Sequence, residues 1–285
     1  LGDIMGKIAI LTDSGSEITP KIAEEYGIEL MPLQINYSDV SYDDYTVDPK
    51  YIYENIDREV PKTSIPSLGD IVNKLNEIKN KGFDKIICIS ISSKLSGMYN
   101  AFMLAKDQVE DVQVEVFDSK NISIGTGFFA IFARKLIDEG LSFESVIEKM
   151  KQKIKDSVPV ITLDTLKYLS LGGRIGKITG IVGNLLNLKL IISCNEDGEY
   201  YTVEKNRGAM KNINHAIDIV KKELSGIKDY YLVLLNGDNQ SAMEKAKESM
   251  NDLIEGAKFY YEGQIVPTLS IHTGPGLFGI GYFKL

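Results

Sequence analysis

The chain has no tryptophan and, in 285 residues, two cysteines and two histidines. Cys88 and Cys194 lie far apart in apolar runs, without Cys-x-x-Cys or Cys/His spacing. That excludes a disulfide framework and leaves reduced core thiols as the simplest reading. With no ligand spacing of any kind, no metal site is expected. No apolar run reaches the roughly 18 residues of a membrane-spanning helix, and the first residues do not read as a signal peptide, so a cytoplasmic protein is expected. Basic excess is missing too: 32 Lys and Arg face 40 Asp and Glu, for a net charge of −8, which argues against bulk nucleic-acid binding. Neither Ser93 nor Ser96 stands in a Gly-x-Ser-x-Gly hydrolase frame. Gly172 to Lys177 lacks the first glycine of a phosphate-binding loop, and Ile178 stands where a hydroxyl would hold magnesium.

What is present is ordinary globular composition, 44% hydrophobic and 25% charged, in a length that suits two domains. Residues 1–6 precede the first strand and take no part in the expected fold. Strands at 7–11, 29–35, 85–90 and 112–117 alternate with helices at 19–26, 71–79, 96–109 and 125–138. This order predicts an α/β fold whose N-terminal part is a mostly parallel sheet with helices on both faces. After a helix at 143–155 the chain changes character at Ser157-Val158-Pro159, where a domain boundary is expected, giving units 1–157 and 158–285. The second unit opens on the apolar run 160–163 and reads as α+β with a mixed sheet: strands at 189–194, 200–204, 230–235, 258–263 and 269–272, and helices at 207–224 and 241–253. Residues 37–59, with seven acids and five tyrosines, read either as a lid or as a surface loop.

Polar clusters follow the strands at Thr12-Asp13-Ser14, Thr63 to Ser67, Ser90 to Gly97 and Asp118-Ser119. Open α/β sheets bind ligands at the carboxyl ends of their strands, although Ser14 and Ser119 are equally suited to capping helices. The Ser92-Ser93-Lys94-Leu95-Ser96-Gly97 loop carries more hydroxyls than one cap requires. Asp164 to Leu171 forms an amphipathic turn that meets Gly172, Gly173 and a lone arginine, Arg174, a setting for an anion or for a simple helix end. His215 lies off its helix's apolar stripe and reads as a surface residue. His272 ends a predicted strand and enters Thr273-Gly274-Pro275-Gly276. Gly125-Thr126-Gly127-Phe128-Phe129-Ala130 matches a dinucleotide fingerprint by letters, but close packing of an apolar helix accounts for both glycines. Lys205, Arg207 and Lys211 form either a basic docking face or a solvated helix surface.

Taken in order, Thr12-Asp13-Ser14, Thr63-Ser64-x-Pro-Ser67, Ser92-Ser93-x-Leu-Ser96-Gly97, Asp118-Ser119-Lys120, Asp164-Thr165-Leu166-x-Tyr168-Leu169-x-x-Gly-Gly-Arg174-Ile175 and His272-Thr273-Gly274-Pro275-Gly276 resemble the DegV family across nearly the whole chain. One departure is Met98, where the family often has threonine. These are bacterial fatty-acid-binding proteins that serve fatty acid kinase. The resemblance implies two α/β domains with a long-chain fatty acid, about C14 to C18, in a tunnel between them. Carried onto this chain, Thr63, Ser64, Ser93, Ser96, Gly97, His272 and Thr273 would surround the carboxylate, with Arg174 supporting it from the second domain. It also implies a carrier without cofactor, which hands its acid to a DAK-type ATP-binding kinase subunit in phospholipid metabolism, with transient contact to a membrane surface. Ile91, Leu95, Phe128, Leu185, Leu186 and Phe278 are candidate tunnel walls, as are Phe129, Phe132 and Leu188. The other reading is an enzyme acting on a small acyl or phosphate substrate, with Arg174 as anion clamp and His272 as acid/base.

Overall fold

The structure, a computed structural model, describes residues 6–179 and 189–285. Its elements run β1 (Ile8–Asp13), α1 (Pro20–Tyr26), β2 (Ile28–Met31), β3 (Gln34–Asn36), β4 (Ser41–Asp43), α2 (Pro49–Asn55), β5 (Lys62–Ser64), α3 (Leu68–Asn80), β6 (Lys85–Ser90), α4 (Met98–Lys106), β7 (Gln113–Asp118), α5 (Ile124–Asp138) and α6 (Phe143–Gln152). They continue as β8 (Ser157–Leu163), α7 (Lys167–Leu171), β9 (Ile178–Thr179), β10 (Lys189–Cys194), β11 (Tyr200–Asn206), α8 (Ala209–Glu223), β12 (Tyr230–Gly237), α9 (Gln240–Ser249), α10 (Asn251–Gly256), β13 (Phe259–Gln264), α11 (Pro267–Thr273) and β14 (Leu277–Lys284).

The first sheet has the order β2-β1-β6-β7, with every pairing parallel. Its strands are near-continuous apolar runs because both faces are covered. One face packs α5 and α6 through Phe128, Phe129 and Phe143, and the other packs α3 and α4 through Leu75 and Phe102. The C-terminal half forms a larger mixed sheet, β13-β12-β14-β8-β10-β11-β9. Helices α8 and α9 cover one side of it, while α5 reaches its other side and touches β1, β8 and β14. This is the expected α/β fold, with a parallel N-terminal sheet and a mixed C-terminal one.

Several elements differ from expectation for clear reasons. Pro32 divides the strand predicted at 29–35 into β2 and β3. Thr63 and Ser64, read as loop, sit on β5, which pairs with β3 in a three-stranded antiparallel sheet. The acidic, tyrosine-rich segment holds β4 and α2, and buries Ile52 and Ile56 against Tyr168 and Ile271. The strand predicted at 269–272 is the helix α11, begun by Pro267 in the first-turn position where its missing N–H costs nothing. β14, an interior strand of the large sheet, has no counterpart among the predicted strands, because Gly279 and Gly281 interrupt its apolar pattern.

Candidate functional site

A cavity of about 580 Å³ lies between the loops after β6 and β7 and the inner face of the large sheet. That size falls within the range of small-molecule sites, roughly 300 to 1,000 Å³. Ten of the predicted site residues reach it: Thr63 and Ser64 from β5; Ile91, Ser93, Leu95, Ser96 and Gly97 from the loop after β6; Arg174 beyond α7; His272 and Thr273 from α11. Thr63 and His272, 2.8 Å apart, mark its polar end.

The Gly-Gly-Arg segment is built around His272. Gly172 ends α7 so close to the imidazole that a β-carbon there would fall 2.3 Å from Nδ1. Gly173 takes a left-handed φ of 74°, the usual turn past a helix end. Arg174 N–H then donates to Leu169 O at 2.8 Å, and Nη1 donates to Gly172 O at 2.5 Å. On the other side of the ring, Thr63 Oγ1 lies 2.8 Å from Nε2. Nδ1 is buried with no hydrogen-bond partner among the described residues. An orphaned N–H is rarer than an unused lone pair, so the network assigns the proton to Nε2, which donates to Thr63. In that tautomer the Thr63 hydroxyl accepts from the ring and keeps its own proton for another acceptor. Burial, helped by the Arg174 charge, lowers the His272 pKa from 6.5 to about 4, so the ring is neutral at pH 7.

Two buried carboxylates that carry no sequence signal hold α11, and with it His272, in place. Glu17 Oε2 accepts from Val266 N at 3.0 Å, and Asp44 Oδ1 accepts from Thr268 N at 2.8 Å. Asp44 Oδ2 also accepts from Thr268 Oγ1. Burial raises the pKa of both acids, and the Asp44 charge adds to the rise at Glu17.

The hydroxyls divide into committed and available ones. Ser93 Oγ donates to Asp118 Oδ2 at 2.5 Å, and Thr273 Oγ1 donates to Leu269 O at 2.9 Å, so both reach the cavity with their protons already engaged. Ser64 Oγ accepts from Asn36 Nδ2, and Ser96 Oγ accepts from Met98 N, which leaves each hydroxyl proton unassigned. Gly97 precedes α4 at the cavity wall, and Ser96 Oγ, by accepting from Met98 N at 3.2 Å, covers the first amide of that helix. Ser14 and Ser119 do not cap helices: Ser14 Oγ accepts from Leu33 N, and Ser119 Oγ bonds Thr126 Oγ1. His215, on α8, bonds Glu204 of β11 at 2.6 Å and takes no part in the cavity.

The sheet side of the wall is aliphatic, with Ile161, Ile192, Leu235 and Leu277 from four strands of the large sheet, none of which the sequence reading singled out; Ser123 and Thr268 also line the cavity, with their hydroxyls bonded to Glu17 and Asp44. Two predicted wall residues are corrected. Phe278 points to the opposite face of β14 from Leu277 and packs in the core under α8, and Phe128 packs against Tyr231 and Phe283. Phe129 and Phe132 join that same aromatic core. Leu185, Leu186 and Leu188 lie outside the described residues.

A model of the DegV family, described as uncharacterised proteins, matches residues 7–285. The chain belongs to the DegV family. A DegV domain-containing protein of Clostridium acetobutylicum is 39% identical over 282 residues, spanning 98% of this chain and 100% of that one. The solved structure of DegV from Bacillus subtilis, described as a fatty acid binding protein, aligns with TM-score 0.89 at 26% identity, covering 99% of this chain and 100% of its own. A DegV family protein from Thermus thermophilus, whose structure is described in terms of fatty acid binding, aligns with TM-score 0.89 at 26% identity, over 98% and 100% of the two chains. Among the described residues no helix is long and apolar enough to cross a membrane, and no group of three or more His, Cys, Asp or Glu gathers to hold a metal.

Proposed function

We propose that this chain is a cytoplasmic fatty-acid carrier that holds one long-chain acid, about C14 to C18, between an N-terminal unit, 1–157, and a C-terminal unit, 158–285. The carboxylate lies at the Thr63–His272 pair, within reach of Ser64, Ser96 and the Gly97 amide. Arg174 supplies positive charge, while Ser93 and Thr273 shape the wall. The observation that carries this reading is a cavity lined both by the Thr63–His272 pair, 2.8 Å apart, and by an aliphatic sheet face of Ile161, Ile192, Leu235 and Leu277. Membership in a family with fatty-acid-binding structures supports it.

The energetics agree with a carrier. Roughly fourteen buried methylenes at about 0.8 kcal/mol each offer on the order of 11 kcal/mol before ordering costs, so the tail supplies affinity. Each head-group hydrogen bond adds about 1 to 3 kcal/mol and fixes which end lies at the polar mouth. The carrier presents its carboxylate to a separate fatty acid kinase, which forms the acyl phosphate. Native mass spectrometry of delipidated protein titrated with palmitate should show one added acid per chain, and Thr63→Val should weaken it about tenfold or more. Binding of no long-chain acid overturns the reading. The kinase step is tested by mixing loaded carrier with a fatty acid kinase and ATP: acyl phosphate formed only when both proteins are present supports it, and none formed refutes it.

A further inference from the structure

Across four adjacent strands of the large sheet, the register aligns Leu235, Gly279, Ile161 and Ile192 in one row. All four line the cavity, and one of them has no side chain. Side chains alternate between faces along a strand, so Leu277, Gly279 and Gly281 of β14 share the cavity face. The two glycines answer different needs. At Gly281 a β-carbon would fall 2.2 Å from Ile124 Cγ2 and 3.1 Å from Phe128 Cε2, because α5 closes on the sheet there. At Gly279 a β-carbon would meet nothing nearer than the Leu235 Cβ and carbonyl oxygen, both at 3.9 Å. The backbone at Gly279 lies outside the left-handed region, so its conformation does not demand glycine. A notch in the cavity floor is the physical consequence of glycine at this position.

The direction of the cavity is also set by β14. His272, at the polar end, sits on α11 immediately before this strand, and the strand runs past Leu277 and Gly279 to the wall that Ile124 and Phe128 form at Gly281. Gly279 therefore lies at the inner end, one step short of that wall.

We infer that Gly279 gauges acyl-chain length: the terminal carbons of the bound acid lie in the notch between Leu235 and Ile161, and α5 is the end stop. This rests on the fatty-acid reading above. Each methylene denied burial costs about fourfold in affinity. Gly279→Val places three carbons in the notch and shortens the preferred acid by about two to four carbons, while occupancy by shorter acids is retained. Gly279→Ala shortens it by about one. Leu235→Ala, which widens the same row, shifts preference the other way, toward longer acids.

The test offers delipidated wild type and the three variants an equimolar mixture of saturated acids from about C10 to C20, and reads the bound masses by native mass spectrometry. Opposite shifts for Gly279→Val and Leu235→Ala are expected. A length profile identical to wild type in the variants that load acid overturns the gauge. Should Gly279→Val fail to fold, Gly279→Ala and Leu235→Ala decide the matter by the same criterion. Wild type that loads none of the acids refutes the fatty-acid reading itself, a result distinct from a loaded protein whose length profile does not move.

Discussion

Gly172→Ala tests how the Gly-Gly-Arg segment works. At a right-handed helix end with nothing nearby, alanine in place of glycine would stabilise the protein by about 0.5 to 1 kcal/mol, by restricting the unfolded chain. Gly172 has such a conformation, φ −76° and ψ −5°, so its backbone accepts alanine without strain. The added β-carbon, however, would lie 2.3 Å from His272 Nδ1 and 2.9 Å from Cε1, where ordinary contact begins at 3.4 Å. The imidazole must retreat by about 1 Å, judged from ordinary carbon contact distances. That stretches the 2.8 Å contact with Thr63 beyond hydrogen-bond range. Losing the bond and leaving Nε2–H unpaired in a buried site costs about 2 to 3 kcal/mol, more than the alanine gains. A net destabilisation of about 1 to 2 kcal/mol is expected in urea unfolding, with an unchanged m-value. Fatty-acid affinity should fall about tenfold or more, because the Thr63 hydroxyl loses the donor that directs it. In a His272→Ala background the collision disappears, and Gly172→Ala becomes neutral or stabilising. A Gly172→Ala protein as stable as wild type, with the same affinity, refutes this account of the segment.

Three further outcomes follow from the same contacts. His272, with its pKa lowered to about 4, stays neutral in the folded state while the unfolded chain protonates near pH 6.5. Its contribution is therefore fully present above about pH 6.5 and is lost as pH falls toward 4, by about 3 kcal/mol at most. Comparing wild type with His272→Gln isolates this slope from the buried acids, whose raised pKa values act in the opposite direction; a stability difference that does not shrink between pH 7 and 4.5 contradicts it. Ser92→Ala removes the 2.7 Å bond to Gly198 O that ties the loop after β6 to the β10–β11 hairpin, and should cost about 1 to 2 kcal/mol by chemical denaturation. Asp44→Ala leaves Thr268 N–H without its acceptor and frees the start of α11, so a loss of about 1 to 3 kcal/mol together with weaker fatty-acid binding is expected, and stability lost with binding unchanged would separate α11 from the site.

The alternation of apolar strands and capped helices made the parallel sheet legible, and clustered hydroxyls marked most of the cavity's polar end. Contacts between distant residues were not legible. Gly172 reads as a helix end because the ring that excludes its side chain belongs to His272, far along the chain. Glu17 and Asp44 carry no motif or spacing signal, although they hold α11 from positions far from it in sequence. Ser93 reads as a free hydroxyl until Asp118 is found beside it. Phe128 and Phe278 have the size and apolarity of tunnel walls, but those properties do not distinguish a core position from a cavity face; strand alternation does so at Phe278 only once β14 is recognised. β14 itself stayed hidden because the glycines that admit α5 and open the notch are those that weaken a strand's sequence signature.

The central claim is that the polar end of this cavity holds a fatty-acid carboxylate and the sheet face holds its tail. A crystal structure of the protein loaded with palmitate tests it most directly. The account predicts carboxylate density within hydrogen-bond distance of Thr63 Oγ1, with the acyl chain running along Leu277 toward Gly279. An empty cavity after loading, or an acid seated with its carboxylate at the Gly279 end, would contradict it.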